Sequence, residues 1–245
     1  MKRILLPAVA MLGGLLCLAA DTAPERPAGI PDDYQLVYRQ DFADAKAIAD
    51  FVFTDPSCWA VAEVGGRKGL AYTGKADYKP KVRSPLMIGL LKGLKVQDFV
   101  LEADIRQTGK EYGHRDACIF YGFTDPSHFY YTHIATKADP HAHNIFLVDD
   151  APRTAIAAET TKGVDWGKDV WQHVRLVRRG SDGTIEVYYE DMSKPVMTAK
   201  DTHFGWGWVG FGTFDDEGIV TNVRLWAKEA KKEPCPFFKA KEQGK

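Results

Sequence analysis

The feature that most constrains the fold is a series of short segments in which apolar and polar residues alternate, with turn-forming residues between them. In residues 100–106, Leu101, Ala103 and Ile105 fall on one face and charged residues on the other. Similar strand patterns occupy residues 34–42, 117–123, 129–135, 144–148, 173–178, 184–190, 208–214 and 219–226. Only residues 44–50 have a convincing helical pattern. The sequence therefore predicts an all-β fold, a two-sheet antiparallel sandwich or a barrel.

Two turn signals predict how neighbouring strands connect. Ser-Asp-Gly at 181–183 separates two alternating segments and predicts a tight hairpin. Asp-Asp-Glu-Gly at 215–218 predicts that segments 208–214 and 219–226 form a last hairpin.

The chain divides into four regions by composition. Residues 1–20 resemble a secretory signal peptide: Lys2 and Arg3 precede a short apolar run, and small residues precede Asp21. Residues 21–33 are expected to be a flexible lead-in, 34–227 one β-sandwich domain, and 228–245 a charged, solvated tail. We expect an exported monomer, periplasmic or extracellular, without a membrane span.

The net charge limits the classes of binding partner, and the cysteine count limits the possible disulfides. The net charge of −1 becomes −3 without residues 1–20. A negative net charge argues against general electrostatic binding of nucleic acid or anionic membranes. Three cysteines follow the signal peptide, so at least one is unpaired. Cys118 lies in an apolar strand and is expected to be a buried thiol. A disulfide between Cys58 and Cys235 is an open alternative.

Several segments resemble the concanavalin A-like lectin/glucanase superfamily. They are FVLEAD at 99–104, WQHVRL at 171–176, GTIEVY at 183–188, GWVGFG at 207–212 and TNVRL at 221–225. Similar patterns occur in laminin G-like modules and in secreted bacterial 3-keto-disaccharide hydrolases. The resemblance covers roughly residues 34–227 and implies a jelly roll of two curved sheets, one of which commonly binds sugar on its concave face.

The catalytic signature of one enzyme family in this superfamily is incomplete. Family-16 glycoside hydrolases carry Glu-x-Asp-x-x-Glu on one strand, where two carboxylates flank the glycosidic bond. Here Glu102 and Asp104 fill the first two positions, but Gln107 fills the third and cannot serve as acid or base. The competing interpretation is a polar strand face whose charged residues form cross-strand ion pairs.

Residues 112–153 hold five of the seven histidines, mixed with aromatic, acidic and basic residues. Aromatic faces stack on sugar rings, and Asp, Asn, Arg and His side chains bind hydroxyl groups. The candidate catalytic residues are Glu102, Asp104 and His133. The candidate ligand-binding residues are Arg106, Tyr112, His114, Arg115, Asp116, Tyr131, His141, His143, Asn144 and Arg153.

Metal binding is a further hypothesis. His141-x-His143 would place two imidazoles on one face of a strand, and zinc would need a third ligand such as His114, Asp116 or His133. A structural calcium would use oxygen ligands, for which Asp149, Asp215 and Asp216 are conceivable. The last two also fit an ordinary turn.

Three functions remain open at this point. The first is a secreted carbohydrate-recognition domain that binds a glycan on its concave face. The second is a glycoside-directed hydrolase that uses the cluster of residues 102–153, and the third is a laminin G-like protein-interaction module. Convergence of Glu102, Asp104, His133 and one of His141 or His143 on one groove would favour the hydrolase, and their dispersal would exclude a hydrolase built on this set.

Overall fold

The computed structural model describes residues 26–241, so the signal peptide expected at 1–20 lies outside the described residues. Within this range the chain forms two short 3₁₀ helices, Ala45–Asp50 and Pro56–Cys58, and seventeen strands. The strands are β1 (Gln35–Gln40), β2 (Phe51–Phe53), β3 (Trp59–Val64), β4 (Arg67–Tyr72), β5 (Met87–Val96), β6 (Phe99–Gln107), β7 (Asp116–Asp125), β8 (His128–Ala135), β9 (Asn144–Asp149), β10 (Thr154–Ala155), β11 (Glu159–Thr160), β12 (Gln172–Arg179), β13 (Thr184–Tyr189), β14 (Met197–Lys200), β15 (Gly207–Thr213), β16 (Gly218–Ala227) and β17 (Ala230–Lys232).

The strands form two antiparallel sheets, as the alternation predicted. Sheet 1 has the order β11-β14-β13-β12-β6-β16-β4-β3, and β1 also pairs with β16. Sheet 2 has the order β10-β9-β8-β7-β15-β5-β17, and β2 also pairs with β5. This arrangement confirms the all-β, two-sheet jelly-roll sandwich. No helix among residues 26–241 is long and apolar enough to cross a membrane.

The main core lies between the two sheets. Leu101, Ala103 and Ile105 of β6 are all buried in it, which confirms the face predicted from their alternation. Ile119 and Tyr121 of β7 enter the same core from sheet 2. The residues between them therefore project from the outer faces of the sandwich, where side chains of neighbouring strands can meet.

A second apolar cluster covers the outer face of sheet 2. It contains alternate residues of β7 and β8, among them Phe120 and Phe129, and Phe237 and Phe238 pack against it. Strand β17 pairs with β5 just before this segment. The expectation that residues 228–245 form a solvated tail therefore needs correction, because residues 230–238 pair with and pack against the sandwich.

The hairpin predicted around residues 215–218 is wrong. Strand β15 belongs to sheet 2 and β16 to sheet 1, so this connection carries the chain from one sheet to the other. The turn residues correctly marked a reversal but carried no information on which strand would be the partner. The hairpin predicted at 181–183 is confirmed, since β12 and β13 pair from Arg179 opposite Thr184.

Cys58, Cys118 and Cys235 are free thiols within the described chain. Cys58 and Cys118 are buried, and Cys235 is half-buried. The expected buried thiol at Cys118 is therefore present, and the alternative disulfide between Cys58 and Cys235 is not formed.

Candidate functional site

The three candidate catalytic residues lie on opposite faces of the sandwich. Glu102 and Asp104 project from the outer face of sheet 1, on β6, whereas His133 projects from the outer face of sheet 2, on β8. The expectation that they share one groove is wrong. Alternation shows which residues of a strand share a face, but it does not show which sheet the strand joins.

Glu102 and Asp104 are held in cross-strand ion pairs. Strand β12 places Arg175 opposite Glu102 and His173 opposite Asp104. Arg175 donates to Glu102 Oε1 from Nε at 2.9 Å and from Nη2 at 2.6 Å. His173 Nδ1 lies 2.7 Å from Asp104 Oδ1, and Arg67 also pairs with Asp104. This is the ion-paired polar face that the sequence offered as the competing interpretation.

Against the opposing effect of burial, hydrogen bonds within this network lower the pKa of both Glu102 and Asp104, so both carboxylates are ionised near neutral pH. Burial opposes the charge of Glu102, but hydrogen bonds from His173 and Arg175 lower its pKa below the ordinary value. Hydrogen bonds to Asp104 and then Glu102 raise the pKa of His173 to about 9. A general acid needs a carboxyl that holds its proton near neutral pH, so neither carboxylate is suited to that role. Arg106, on the same strand, is paired with Asp169 at 2.7 Å.

Six of the predicted site residues converge instead on one open pocket at sheet 2. The pocket has a volume of about 310 Å³. These residues are Tyr112, His114, Asp116, His133, His141 and Arg153. They converge because β7, β8 and β9 are neighbouring strands, and because the segment before β7, the loop between β8 and β9 and the turn after β9 carry the remaining residues.

Buried polar residues form the floor of the pocket. Asp116 and His133 are 2% and 3% exposed, and Asp116 Oδ2 lies 2.7 Å from His133 Nε2. Thr213 Oγ1 donates to Asp116 Oδ1 at 2.9 Å. His133 Nδ1 is buried and has no hydrogen-bond partner. The imidazole is therefore oriented by one nitrogen, and its other nitrogen is unsatisfied.

A second buried carboxyl connects the floor to the mouth of the pocket. Asp216 Oδ2 accepts hydrogen bonds from the Asp116 backbone N–H at 2.9 Å and from the Tyr112 hydroxyl at 3.0 Å. Burial and the negative charge of Asp116 raise the pKa of Asp216 to about 7. The bond to Asp216 fixes the Tyr112 ring, which is 45% exposed and is one of two large apolar side chains that are exposed within residues 26–241.

Arg153 forms one wall of the pocket. Its guanidinium lies 4.4 Å from the centroid of the Phe214 ring and 4.8 Å from that of Phe146, within cation–π range of both. It donates to the Tyr131 hydroxyl at 3.0 Å and to the His141 carbonyl at 2.9 Å. Tyr131 itself is fully buried, so its hydroxyl holds the Arg153 guanidinium in place through this hydrogen bond.

The other predicted residues have structural roles. Arg115 is buried and donates to the Gln107 carbonyl at 3.0 Å. Asn144 Oδ1 accepts from the backbone N–H groups of Ile145 and Ala157, which ties β9 to the segment that follows β10. His143 is buried, and desolvation lowers its pKa to about 4, so the ring is neutral at pH 7.

The predicted His141-x-His143 chelating pair is not formed. His143 precedes β9 and has a left-handed backbone φ of 51°, so the i and i+2 rule for an extended strand does not apply. Its Nε2 lies 2.9 Å from Thr161 Oγ1, whereas His141 is exposed at the pocket.

Among residues 26–241, one group of three side chains has the composition and spacing of a metal site. It consists of Asp116, Cys118 and His133, whose ligand atoms all lie within 4.8 Å of one another. Asp149, Asp215 and Asp216, the conceivable calcium ligands, belong to no such group in the described part of the chain.

Four of the residues that line the pocket were not predicted from the sequence to bind a saccharide. Arg83 and Leu86 come from the irregular segment before β5, where there was no periodicity to interpret. Phe214 and Asp215 come from the connection between the sheets. For Asp215 the sequence predicts a turn or a calcium ligand.

Comparisons with known proteins support the fold. The sequence matches no protein-family model, and no curated protein matches it. A carbohydrate-binding module, CBM66, from Bacillus subtilis is 18% identical with a TM-score of 0.52, covering 72% of this chain and 95% of the module. A xylan β-1,4-xylosidase from Bacillus halodurans C-125 is 15% identical with a TM-score of 0.51, covering 86% of this chain and 41% of the xylosidase. At these identities the likeness shows the sandwich fold.

Proposed function

We propose that this chain is an exported carbohydrate-recognition domain of the concanavalin A-like superfamily, which binds a short saccharide in the pocket on sheet 2. Tyr112 supplies the apolar ring face, and His114, His141 and Arg153 supply hydrogen-bonding groups.

Export rests on the signal-peptide pattern of residues 1–20. N-terminal sequencing of the protein purified after expression of the full chain tests this part: we expect it to begin at Asp21, and an intact Met1 end would contradict export.

One observation carries the proposal: an exposed aromatic ring, held by a hydrogen bond, lines a pocket whose other lining side chains are polar except for Leu86 and Phe214. The Tyr112 ring is held by its hydroxyl bond to Asp216, so little side-chain entropy is lost when a ligand stacks on it. A volume of about 310 Å³ is at the lower end of the range for small-molecule sites, which favours a short saccharide. That a structurally similar module binds carbohydrate is consistent with this use of the fold.

A glycan array followed by calorimetry tests the proposal. We expect Tyr112→Ala to weaken binding of the selected saccharide by about tenfold, since an aromatic stacking contact contributes about 1.4 kcal/mol. Tyr188→Ala is the matched control, because Tyr188 is a half-buried tyrosine on β13 of the opposite sheet. Loss of affinity in the control with none in Tyr112→Ala would place binding elsewhere.

One observation favours a second candidate, a glycoside-directed enzyme resembling the 3-keto-disaccharide hydrolases, although Glu102 and Asp104 lie on the other sheet and can take no part in it. Asp116 orients the His133 imidazole at the pocket floor, in the manner of a general base held by a carboxylate. Release of reducing sugar by the wild type, abolished in His133→Gln, would support this candidate. Binding without release would support the recognition domain.

A further inference from the structure

Three potential metal ligands occupy one face of two adjacent strands. Asp116 and Cys118 are separated by two positions on β7, so their side chains project to the same side. Strand β8 places His133 directly opposite Cys118. The strand geometry thus brings a carboxylate, a thiol and an imidazole together on a rigid support.

The spacing of these groups suits a small transition-metal ion. One ligand atom from each residue lies within 4.8 Å of the other two. Cys118 Sγ is 3.6 Å from Asp116 Oδ1, and His133 Nε2 is 2.7 Å from Asp116 Oδ2. Ligand atoms at zinc distances from one tetrahedral ion are about 3.3–3.8 Å apart, so small side-chain adjustments suffice.

The two nitrogens of the His133 ring have different surroundings. His133 is 3% exposed; its Nε2 faces Asp116 Oδ2, and its Nδ1 has no hydrogen-bond partner. An ion on Nδ1 would lie on the far side of the ring from Asp116. An ion shared by both side chains would therefore bind Nε2, replace the hydrogen bond there and leave the ring proton on Nδ1.

The surroundings support the same assignment. The Thr213 hydroxyl donates to Asp116 Oδ1 and orients the carboxylate, as residues behind metal ligands commonly do. Asp116 and His133 line the pocket, whereas Cys118 is fully buried, so an ion would be reached from the pocket side. A thiol and an imidazole select zinc-class ions over calcium or magnesium.

We infer that Asp116, Cys118 and His133 form a binding site for a zinc-class divalent transition-metal ion at the floor of the sheet 2 pocket. The inference does not depend on saccharide binding, because the ion can be detected with the pocket otherwise empty.

Titration of the purified chain with Co²⁺ tests the inference. Cobalt substitutes for zinc and gives a near-ultraviolet charge-transfer absorption when a thiolate binds it. We expect this absorption to saturate at one equivalent and to be absent in Cys118→Ser. Cys58→Ser and Cys235→Ser are matched controls that remove the other two described thiols and retain the absorption. A Cys17→Ser background restricts the test to these three cysteines.

Two further variants separate ligation from folding. Thr213→Val removes only a side chain that orients Asp116, and we expect it to lower the cobalt affinity by roughly 10–100-fold. His133→Gln keeps the thiol but removes the imidazole, and we expect it to lower the cobalt affinity by a larger factor. The inference is overturned if no thiolate–cobalt absorption forms at equimolar cobalt or if it survives in Cys118→Ser. Should Cys118→Ser not fold, an undiminished cobalt affinity in His133→Gln overturns it.

Discussion

The stability of this protein should decrease between pH 5 and pH 8 because of one buried carboxyl, Asp216. Burial and the nearby charge of Asp116 raise its pKa from 3.8 to about 7 in the folded chain. Between these two values the folded state binds more protons than the unfolded state, so the free energy of unfolding falls as the pH rises. The stability contribution of protonated Asp216 is therefore present in acid and lost as the pH rises through about 7.

The magnitude follows from the pKa difference. Each unit of pKa corresponds to about 1.4 kcal/mol, so the full difference is about 4 kcal/mol, of which about 2–3 kcal/mol falls between pH 5 and pH 8. In Asp216→Asn, the side-chain carbonyl can still accept hydrogen bonds from Tyr112 and from the Asp116 N–H, but the titrating group is gone.

Urea unfolding at pH 5 and pH 8 measures the effect. We expect the stability of Asp216→Asn relative to wild type to increase by about 2–3 kcal/mol between the two pH values. Glu217→Gln is the matched control, because Glu217 is an exposed neighbour whose charge is not among the causes of the Asp216 shift, and its stability relative to wild type should change little. If the wild-type and Asp216→Asn stabilities changed in parallel with pH, the assignment of a raised pKa to Asp216 would be refuted.

Three other predictions concern parts of the fold away from the pocket floor. Glu102→Gln should destabilise the chain by about 3–5 kcal/mol in urea unfolding, because it leaves the buried Arg175 guanidinium without its charge partner, yet it should not alter saccharide affinity. His173→Gln should flatten the loss of stability above pH 6.5, because protonated His173 stabilises the fold until the pH rises through about 9; unfolding curves between pH 6 and pH 10 check this. Truncation after Lys232 should increase binding of a hydrophobic fluorescent dye, since it removes Phe237 and Phe238 from the outer aromatic cluster, and unchanged fluorescence would show that these rings do not cover it.

Local patterns predicted nine strands, because burial on one face leaves a period of two in the sequence, but they did not predict β2 to β5, β10, β11, β14 or β17. Leu101, Ala103 and Ile105 show that pattern and lie in the core. Strand β5 was missed because Met87–Leu91 is buried without interruption and shows no alternation. The partner of each strand could not be predicted, since turn residues such as Asp215 mark a reversal and not its destination.

The candidate site was predicted in part, because many of its residues lie close together in the sequence. Residues 112–153 contain neighbouring strands and their flanking loops, so a cluster that is local in sequence is also local in space. Glu102 was assigned to that cluster because its carboxylate suits catalysis, but pairing with β12 turns it toward Arg175. Arg83 approaches the pocket through tertiary packing, for which the sequence carries no periodic signal.

The central claim is that the saccharide site lies on sheet 2, and mapping of backbone amide NMR shifts during titration tests it most directly. With a saccharide selected on the glycan array, we expect the shifts to centre on Tyr112, His114, His141 and Arg153, and to saturate with the affinity measured by calorimetry. Shifts centred instead on β6 and β12 of sheet 1, or no shifts from any selected saccharide, would contradict the claim.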